Sequence, residues 1–241
     1  MTSVGIMAIP SQASFNPAHM RGFEVEPRPG SNGAPIVFVV DDDISVRESL
    51  EVMIGCEGWQ PETFASAKEF LAHPRAVVPS CLVLDVSLPG LSGLDLQKLV
   101  AVERTDMPII FVTGHGDVSV AVQAMKAGAV EFLTKPFCDD ALLGAIRKAL
   151  DRSRAIQRHQ GNLQALREHH VSLTPRERQV MALVASGMLN KQVGSELGIS
   201  EITVKAHRGK VMEKMKAGSF ADLVKMASRL GVARAVSPDI M

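Results

Sequence analysis

The 241-residue sequence predicts an α/β domain built on a doubly wound, five-stranded parallel sheet, followed by a smaller all-α domain of four helices. Two observations predict this fold class. In residues 35–150, short apolar runs alternate five times with helical periodicities, which is typical of a parallel sheet covered by helices on both faces. Residues 172–234 contain four short helical patterns separated by tight turns with glycine, which is typical of a helix-turn-helix domain.

Three further segments complete the predicted organisation. Residues 1–34 are rich in Pro, Gly, Ser and Asn and show no periodicity, so we expect a disordered N-terminal tail. Residues 151–171 are rich in Gln, Arg and His, which favours a polar helix that leads into a linker. Residues 235–241 are expected to be a short C-terminal tail.

Composition argues against several classes of protein. The three cysteines are scattered, without a Cys-x-x-Cys pair or a Cys/His cluster, so a disulfide framework and a zinc site are not expected. No apolar run approaches the ~18 residues of a membrane span, and the first ten residues lack the features of a secretory signal. These features predict a protein of the reducing cytoplasm that has no membrane partner.

The net charge of zero conceals a difference between the two domains. Residues 35–140 carry 7 Lys and Arg against 16 Asp and Glu, a net charge of −9, whereas residues 172–234 carry 11 against 5, a net charge of +6. The split suggests an acidic domain joined to one that prefers an anionic partner. Ordinary scatter of charge between two solvated surfaces is the alternative.

The first domain is predicted to alternate strands and helices along its whole length. The strands are expected at residues 36–40, 59–64, 82–84, 108–113 and 130–133. Between them lie a helix with one apolar face, a short helix at 66–72, a helix from the capping residue Ser92 to about residue 103, and a helix from the capping residue Asp117 to 126. The last helix begins at Asp139 and continues past Leu150.

The central feature is the run from Cys81 to Gly90. Its apolar residues end in Asp85, and Ser-Leu-Pro-Gly then turns the chain away. A continuous apolar run bounded by turn residues predicts a strand covered on both faces, and ligand sites of parallel sheets lie beyond the carboxyl ends of such strands. Taken alone, Asp85 is explained about equally well as a turn residue that closes a strand.

Chemically active side chains follow four of the predicted strands. Asp41 and Asp42 follow the first strand, Asp85 ends the third, Thr113 ends the fourth, and Lys135 follows the fifth. Because these ends share one edge of a parallel sheet, the side chains can converge. Three neighbouring carboxylates repel one another, and a divalent cation relieves the repulsion, with Mg²⁺ favoured by carboxylate and water ligands. A carboxylate beside such a cation can attack a phosphoryl group, whose oxygens Thr113 and Lys135 would bind.

Residues 35–150 resemble a response-regulator receiver domain, which has the flavodoxin-like fold. The resemblance rests on Val-Val-Asp-Asp-Asp at 39–43, Leu-Asp-Val-Ser-Leu-Pro-Gly at 84–90, Val-Thr-Gly-His-Gly at 112–116 and Phe-Leu-Thr-Lys-Pro-Phe at 132–137. It implies that Asp85 accepts phosphate from a sensor histidine kinase. It also implies that Asp42, Asp85 and the backbone carbonyl of Ser87 ligate Mg²⁺, with Asp41 helping through water.

The same resemblance implies how phosphorylation is transmitted. Thr113 and Lys135 would couple the phosphate to a shift of the fourth helix and fifth strand, and the Lys135–Pro136 peptide bond would be cis. Phe132 occupies the position of an aromatic switch residue, and packing in the core explains this residue equally well.

The second domain begins with a strong helix start, since Thr174, Pro175 and Glu177 occupy the N-cap, N1 and N3 positions. Further helices are predicted at residues 190–197, from the capping residue Ser200 to about residue 215, and at 221–230. The third of these four helices carries several cations, and a helix of this kind fits the major groove of DNA.

Residues 172–234 resemble the LuxR-type helix-turn-helix domain of NarL/FixJ regulators. The matching runs are Leu-Thr-Pro-Arg-Glu-Arg at 173–178, Asn-Lys-Gln-Val at 190–193, Leu-Gly-Ile-Ser-Glu-Ile-Thr-Val-Lys-Ala-His-Arg at 197–208 and Lys-Met at 214–215. Matching positions imply base contacts for Lys205 and Ala206. They imply phosphate contacts for a second set of residues, namely Lys191, Thr203, His207, Arg208 and Lys210.

Two positions depart from the pattern of this family, and three are assigned to the core. Gly209 stands where some relatives carry a base-reading Lys, so that contact is absent, and Gly194 stands where relatives usually have Ala. Val204, Val211 and Met215 are expected to pack in the core instead of reading DNA.

The sequence therefore predicts a phosphorylation-activated transcription factor that is not an enzyme. Its predicted partners are the sensor kinase, double-stranded promoter DNA, a second copy of the chain after phosphorylation, and RNA polymerase as a further candidate. Two alternatives remain open. A phosphatase of the haloacid-dehalogenase kind could use Asp41-Asp42-Asp43 and the pair Asp139 and Asp140, and an adaptor could bind protein through its helical domain.

Overall fold

The computed structural model describes residues 33–114 and 116–232. The predicted N-terminal tail, apart from its last two residues, and the predicted C-terminal tail lie outside these ranges. Within the described ranges, each helix is too short or too polar to cross a membrane.

The α/β domain contains one sheet of five parallel strands in the order β2-β1-β3-β4-β5. The strands are β1 Ile36–Val40, β2 Gln60–Phe64, β3 Ser80–Asp85, β4 Ile109–Thr113 and β5 Glu131–Thr134. The central strand β3 is buried at every residue, as its continuous apolar sequence predicts. The predicted fold class is confirmed, and each predicted strand boundary agrees with the structure to within two residues.

Two helices of this domain begin at the predicted capping residues Ser92 and Asp117, and two others begin after Asp43 and Ser66. They are α1 Ile44–Cys56, α2 Ala67–Ala72, α3 Gly93–Glu103, α4 Val118–Lys126 and α5 Asp139–Val171. The side chains of Asp43, Ser66, Ser92 and Asp117 accept hydrogen bonds from backbone N–H groups in the first turns of α1 to α4. These bonds satisfy N–H groups that have no partner inside the helix, which sets the start of each helix.

The sheet has an apolar core on each face because successive side chains of a strand point to opposite sides. Val37, Val39 and Val83 pack with α1 and α5 on one face. Phe38 and Leu84 pack with α2, α3 and α4 on the other. Burial of both faces leaves the edge at the carboxyl ends of the strands as the accessible polar surface of the sheet.

Helix α5 is 33 residues long and includes the whole of the predicted linker, residues 151–171. Polar contacts hold its middle against the α/β domain. The hydroxyl of Ser153 donates to the carbonyl of Asp106 at 2.7 Å and accepts from the N–H of Ser80 at 3.1 Å. One turn later, the amide of Gln157 donates to the Asp106 carboxylate and to the carbonyl of Val78, both at 3.1 Å.

The helical domain contains α6 Pro175–Ala185, α7 Asn190–Leu197, α8 Glu201–Lys214 and α9 Phe220–Leu230. These boundaries confirm the predicted helices. Val204, Val211 and Met215 are fully buried, so the expectation that they belong to the core is also confirmed. Leu166 of α5 joins this core, and the last turns of the linker helix are therefore part of the domain.

Gly194 and Gly198 make the turn between α7 and α8 possible. A Cβ atom at position 194 would lie 2.7 Å from the carbonyl oxygen of Ile199, and Gly198 has a φ of 66°. The first glycine permits a close backbone approach, and the second adopts a left-handed conformation that costs other residues about 1 kcal/mol or more. The departure from the family pattern at position 194 thus has a structural reason.

Glu177 links the start of α6 to the end of α8. Its carboxylate accepts from the Thr174 backbone N–H at 2.8 Å, which completes the predicted capping box, and from Lys214 Nζ at 2.7 Å. The hydrogen bond from Lys214, followed by that from the Thr174 backbone, lowers the pKa of Glu177 from 4.5 to about 2. The ionised carboxylate is therefore favoured by the folded domain.

We expect Glu177→Gln to destabilise the helical domain at neutral pH by about 1–2 kcal/mol, the usual size of a lost charged cap contact. Because the folded pKa lies below the unfolded value, this contribution is present above pH 4.5 and is lost as the pH falls towards about 2. Thermal unfolding followed by circular dichroism at 222 nm should show the difference between wild type and variant shrinking over that range.

The fluorescence of Trp59, the single tryptophan of the chain, provides the control because this residue lies in the α/β domain. Its transition should be almost unchanged by the substitution. A difference between wild type and variant that stayed constant down to pH 2 would contradict the assigned role of Glu177.

Candidate functional site

The predicted reactive residues lie along one edge of the sheet. Asp41 directly follows β1, Asp85 ends β3, Thr113 ends β4 and Lys135 directly follows β5. The strand order places these four strands next to one another, so residues up to 94 positions apart in the chain come into contact. The convergence expected from a parallel sheet is present in the structure.

Three carboxylates meet at this edge. Asp41, Asp42 and Asp85 each offer an oxygen atom, and these atoms lie within 4.8 Å of one another. Asp41 and Asp85 are only 2% and 8% exposed, whereas Asp42 is exposed to solvent. The cluster therefore has two fixed, buried members and one member that solvent can reach.

Backbone N–H groups fix the orientation of the two buried carboxylates. Asp41 Oδ1 accepts from the N–H of Asp43 at 3.0 Å, and Asp85 Oδ1 accepts from the N–H of Ser87 at 3.1 Å. Each bond uses one oxygen of its carboxylate, so the second oxygen of each carboxylate can contact another group. Turn residues after the strands thus set the geometry of the site.

Lys135 brings a positive charge into contact with the carboxylates of the cluster. Its Nζ atom lies 2.6 Å from Asp41 Oδ2 and 3.6 Å from Asp85 Oδ2. Burial of the ammonium group lowers the pKa of Lys135, but the hydrogen bond and the charge of Asp41, together with Asp85, outweigh it and raise the pKa overall. The cluster of three carboxylates and one ammonium keeps a formal charge of −2.

The ends of β4 and β5 are tied together beside this cluster. Thr113 is fully buried, and its carbonyl accepts from the backbone N–H of Lys135 at 2.8 Å. The Lys135–Pro136 bond is cis, as the family resemblance implies. Ser87 is exposed next to Asp85, where the resemblance places its carbonyl as a metal ligand.

The donor set suits a divalent cation with oxygen ligands. A formal charge of −2 is balanced by one such ion, and carboxylates without sulfur or imidazole ligands favour Mg²⁺ over Zn²⁺. The exposure of Asp42 leaves a solvent-facing side where water ligands can complete the coordination. The residues present therefore fit the ion that the sequence predicts.

Phe132 lies between the apolar core and a groove at the surface. Its ring lies 6.1 Å from the ring of Phe111, which belongs to the core. The residue is nevertheless only partly buried and lines a groove of about 450 Å³ beside α4, with Val118 and Met125 on the opposite wall. The ring is thus placed between the core and the surface that would have to move.

Gly93 supports Asp85 in a way that sequence analysis did not anticipate. A Cβ atom at this position would lie 2.3 Å from the carbonyl oxygen of Asp85 and 3.0 Å from the Cα atom of Val86. The N–H of Gly93 donates to the carbonyl of Val86 at 3.0 Å. The start of α3 therefore presses directly against the backbone that carries Asp85, and glycine after the capping residue Ser92 is the sequence signal.

The candidate DNA-contacting residues fall into two groups. Lys191, Thr203, Lys205, Ala206 and Lys210 are exposed, with Lys191 in the first turn of α7 and the others on α8. Two of these have partners: Lys205 Nζ lies 3.2 Å from Glu201 Oε1, and the hydroxyl of Thr203 is 2.8 Å from that of Ser200. His207 and Arg208 form the second group because both are partly buried.

Arg208 has an internal role that the sequence pattern does not reveal. Its guanidinium group donates to Asn190 Oδ1 at 3.0 Å and lies 4.4 Å from the centre of the Phe220 ring. It therefore connects α8 to α7 and to α9. In the neighbouring His207, the Nδ1 atom is buried without a hydrogen-bond partner among the described residues.

Comparison with known families matches both domains of the chain. The response regulator receiver domain matches residues 37–147, and the luxR family of bacterial regulatory proteins matches residues 171–227. Nodulation protein W of Bradyrhizobium diazoefficiens is 52% identical over 197 residues, which are 82% of this chain and 87% of that protein. The transcriptional regulatory protein FixJ of the same organism is 39% identical, over 81% of this chain and 96% of that protein.

A solved structure covers the same two domains. The structure of the response regulator StyR is 45% identical in sequence and superposes with a TM-score of 0.73. The match covers 82% of this chain and 100% of the StyR chain. The similarity therefore extends across both domains and is not limited to one of them.

We expect Gly93→Ala to lower the free energy of unfolding of the α/β domain by about 1–3 kcal/mol, because the added methyl group overpacks against the Asp85 backbone. Urea unfolding followed by Trp59 fluorescence measures this change. Gly144→Ala is the matched control, since a Cβ atom in that exposed turn of α5 meets nothing within 4 Å. It should be neutral or stabilising by up to about 1 kcal/mol, and equal effects of the two substitutions would refute the close contact.

Proposed function

Because the chain belongs to the two-component response regulators that join a receiver domain to a LuxR-type DNA-binding domain, we propose that Asp85 is the residue that accepts the phosphoryl group. The protein is a DNA-binding regulator of transcription and not an enzyme, so the phosphatase and adaptor alternatives are wrong. The observation that carries the assignment of Asp85 is its position within 3.6 Å of Lys135 and inside the cluster of three carboxylates.

The proposed domain boundaries follow the sequence and the packing. The receiver domain spans residues 35–150, the helical linker 151–171 and the DNA-binding domain 172–234. The receiver match at 37–147 and the luxR-family match at 171–227 support these boundaries, and Leu166 of the linker packs against the core of the second domain.

The reaction at Asp85 is a transfer between a kinase histidine and a carboxylate. The Asp85 oxygen that does not accept from Ser87 attacks phosphorus, the P–N bond to the histidine breaks, and the nitrogen keeps the bonding electron pair. Lys135 lies close enough to turn from the carboxylates to the phosphoryl oxygens. Thr113, at the end of the neighbouring strand, is the proposed hydroxyl partner of the phosphoryl group.

Asp42, Asp85 and the backbone carbonyl of Ser87 are the proposed ligands of Mg²⁺, with Asp41 acting through a water molecule. The spacing of the three carboxylates and their excess negative charge support this set. When bound, the ion would neutralise charge on the carboxylates and on the transferred phosphoryl group. Lys135 alone balances only one of the three negative charges at the site.

Phosphorylation is proposed to act on α4 and β5 through Thr113 and Lys135. The hydrogen bond from the backbone N–H of Lys135 to the carbonyl of Thr113 connects the site to β5. Phe132 lies three residues before Lys135, beside the groove along α4. A shift of this surface would favour a homodimer. The recognition helices of the two copies would then read half-sites about one DNA turn apart. RNA polymerase is a further proposed partner.

DNA binding is proposed to use α8 as the recognition helix. Lys205 and Ala206 are the proposed base contacts, while Lys191, Thr203, His207, Arg208 and Lys210 are the proposed phosphate contacts. The net charge of +6 on residues 172–234 supports an anionic partner. Arg208 can donate to a phosphate while it is bonded to Asn190, because a guanidinium group has five N–H donors.

We expect Asp85→Asn to reduce labelling by acetyl phosphate to background and to abolish phosphorylation-dependent binding to promoter DNA. The amide lacks the nucleophilic carboxylate, and labelling with radioactive acetyl phosphate measures its loss. Removal of Mg²⁺ with EDTA should have the same effect on the wild type. Asp139→Asn, an exposed residue at the start of α5, should retain labelling, and full labelling of the Asp85 variant would identify a different acceptor.

We also expect Lys210→Ala to weaken DNA binding and to reduce the slope of log K against log salt concentration by about one, as for the loss of one phosphate contact. Fluorescence anisotropy of a labelled duplex at several salt concentrations measures the slope. Lys68→Ala removes an equally exposed charge from α2 of the receiver domain and should leave the slope unchanged. A wild-type affinity that did not depend on salt would argue against DNA as the partner.

A further inference from the structure

An exposed apolar side chain stands at the start of the recognition helix. Ile202 is the second residue of α8, and 79% of it is exposed. The other aliphatic residues of the helix, Val204 and Val211, are fully buried in the domain core. Ile202 therefore contributes nothing to this core, and its apolar surface remains in contact with water.

Ile202 lies on a defined face of the helix. Ala206 and Gly209 follow it at i+4 and i+7, so the three residues form one stripe, with Lys205 at its side. Lys205 and Ala206 are the proposed base contacts, and the stripe is therefore the side of α8 that faces DNA. Its members after Ile202 are small, which allows a close approach to base edges.

The fold itself does not require the small residue at position 209. A Cβ atom there would meet nothing within 4 Å, and glycine inside a helix is less favourable than alanine. The absence of a side chain at this position leaves Ile202 as the one large apolar group of the stripe. An apolar group in the groove near the start of the helix would be a matching partner for this side chain.

The major groove of DNA provides one apolar group, the methyl group of thymine. Recognition helices place their N-terminal residues against base edges, and Ile202 is in the first turn of α8. Glu201 and Lys205, which form an ion pair at 3.2 Å, lie on one side of Ile202, and Ala206 lies on the other side. We infer that Ile202 is a specificity-determining residue that packs against a thymine methyl group in each half-site.

This inference rests on the proposed function of α8 as the recognition helix, and the experiment separates the two. Phosphorylated full-length protein first selects its binding site from a pool of randomised duplexes. The selected duplex is then synthesised with deoxyuridine in place of each thymine in turn, which removes a single methyl group. Affinities are measured by fluorescence anisotropy for wild type, Ile202→Ala, Ile202→Val and Leu189→Ala.

The wild type is expected to lose about three- to tenfold in affinity at one thymine of each half-site, as for the loss of one buried methyl group. Ile202→Ala should bind the thymine duplex and the deoxyuridine duplex with equal affinity. Ile202→Val should retain part of the difference in affinity. Leu189→Ala is the matched control, because Leu189 is 70% exposed in the same domain but precedes α7. It should discriminate as the wild type does.

Two results would overturn the inference while leaving DNA binding intact. Either the wild type is insensitive to deoxyuridine at every thymine, or Ile202→Ala keeps the full discrimination, in which case Ala206 is the reader. Failure of the wild type to select any duplex would overturn both the inference and the proposed function. Since Ile202 is exposed, none of these variants is expected to lose its fold.

Discussion

The contact between the Lys135 ammonium and the carboxylates of Asp41 and Asp85 is the interaction on which the receiver site depends. Three carboxylates within 4.8 Å of one another repel one another, and this repulsion requires compensation. The ammonium provides part of it, and backbone N–H groups after β1 and β3 orient the two buried carboxylates. The remaining negative charge suits a divalent cation.

The parallel sheet is the reason that these residues meet. With all strands running in one direction, the residues that end them share an edge, and the strand order puts β1, β3, β4 and β5 side by side. The same edge connects to the surface around Phe132 through the hydrogen bond from the backbone N–H of Lys135 to the carbonyl of Thr113. The proposed change of charge at Asp85 would therefore take place near the strand end that borders α4.

The DNA-binding domain divides its charged residues between structure and recognition. Lys214 is held by Glu177, and Arg208 connects α7, α8 and α9, so these cations stabilise the arrangement of the helices. The stripe from Ile202 to Gly209 makes no comparable contribution to the core. The proposed recognition stripe thus consists of side chains that the packing of the domain does not need.

The sequence by itself determined the element boundaries, the order of the two domains, and the acidic and basic residues of each candidate site. Apolar periodicity and capping residues act over a few positions, so they are legible in one chain. Only the tertiary structure decided which partners these side chains have: that Gly93 presses on the Asp85 backbone, that Lys135 lies closer to Asp41 than to Asp85, and that Arg208 is engaged inside the domain. Such contacts join residues from separate elements, and their distances depend on how helices and strands pack, which no local pattern encodes.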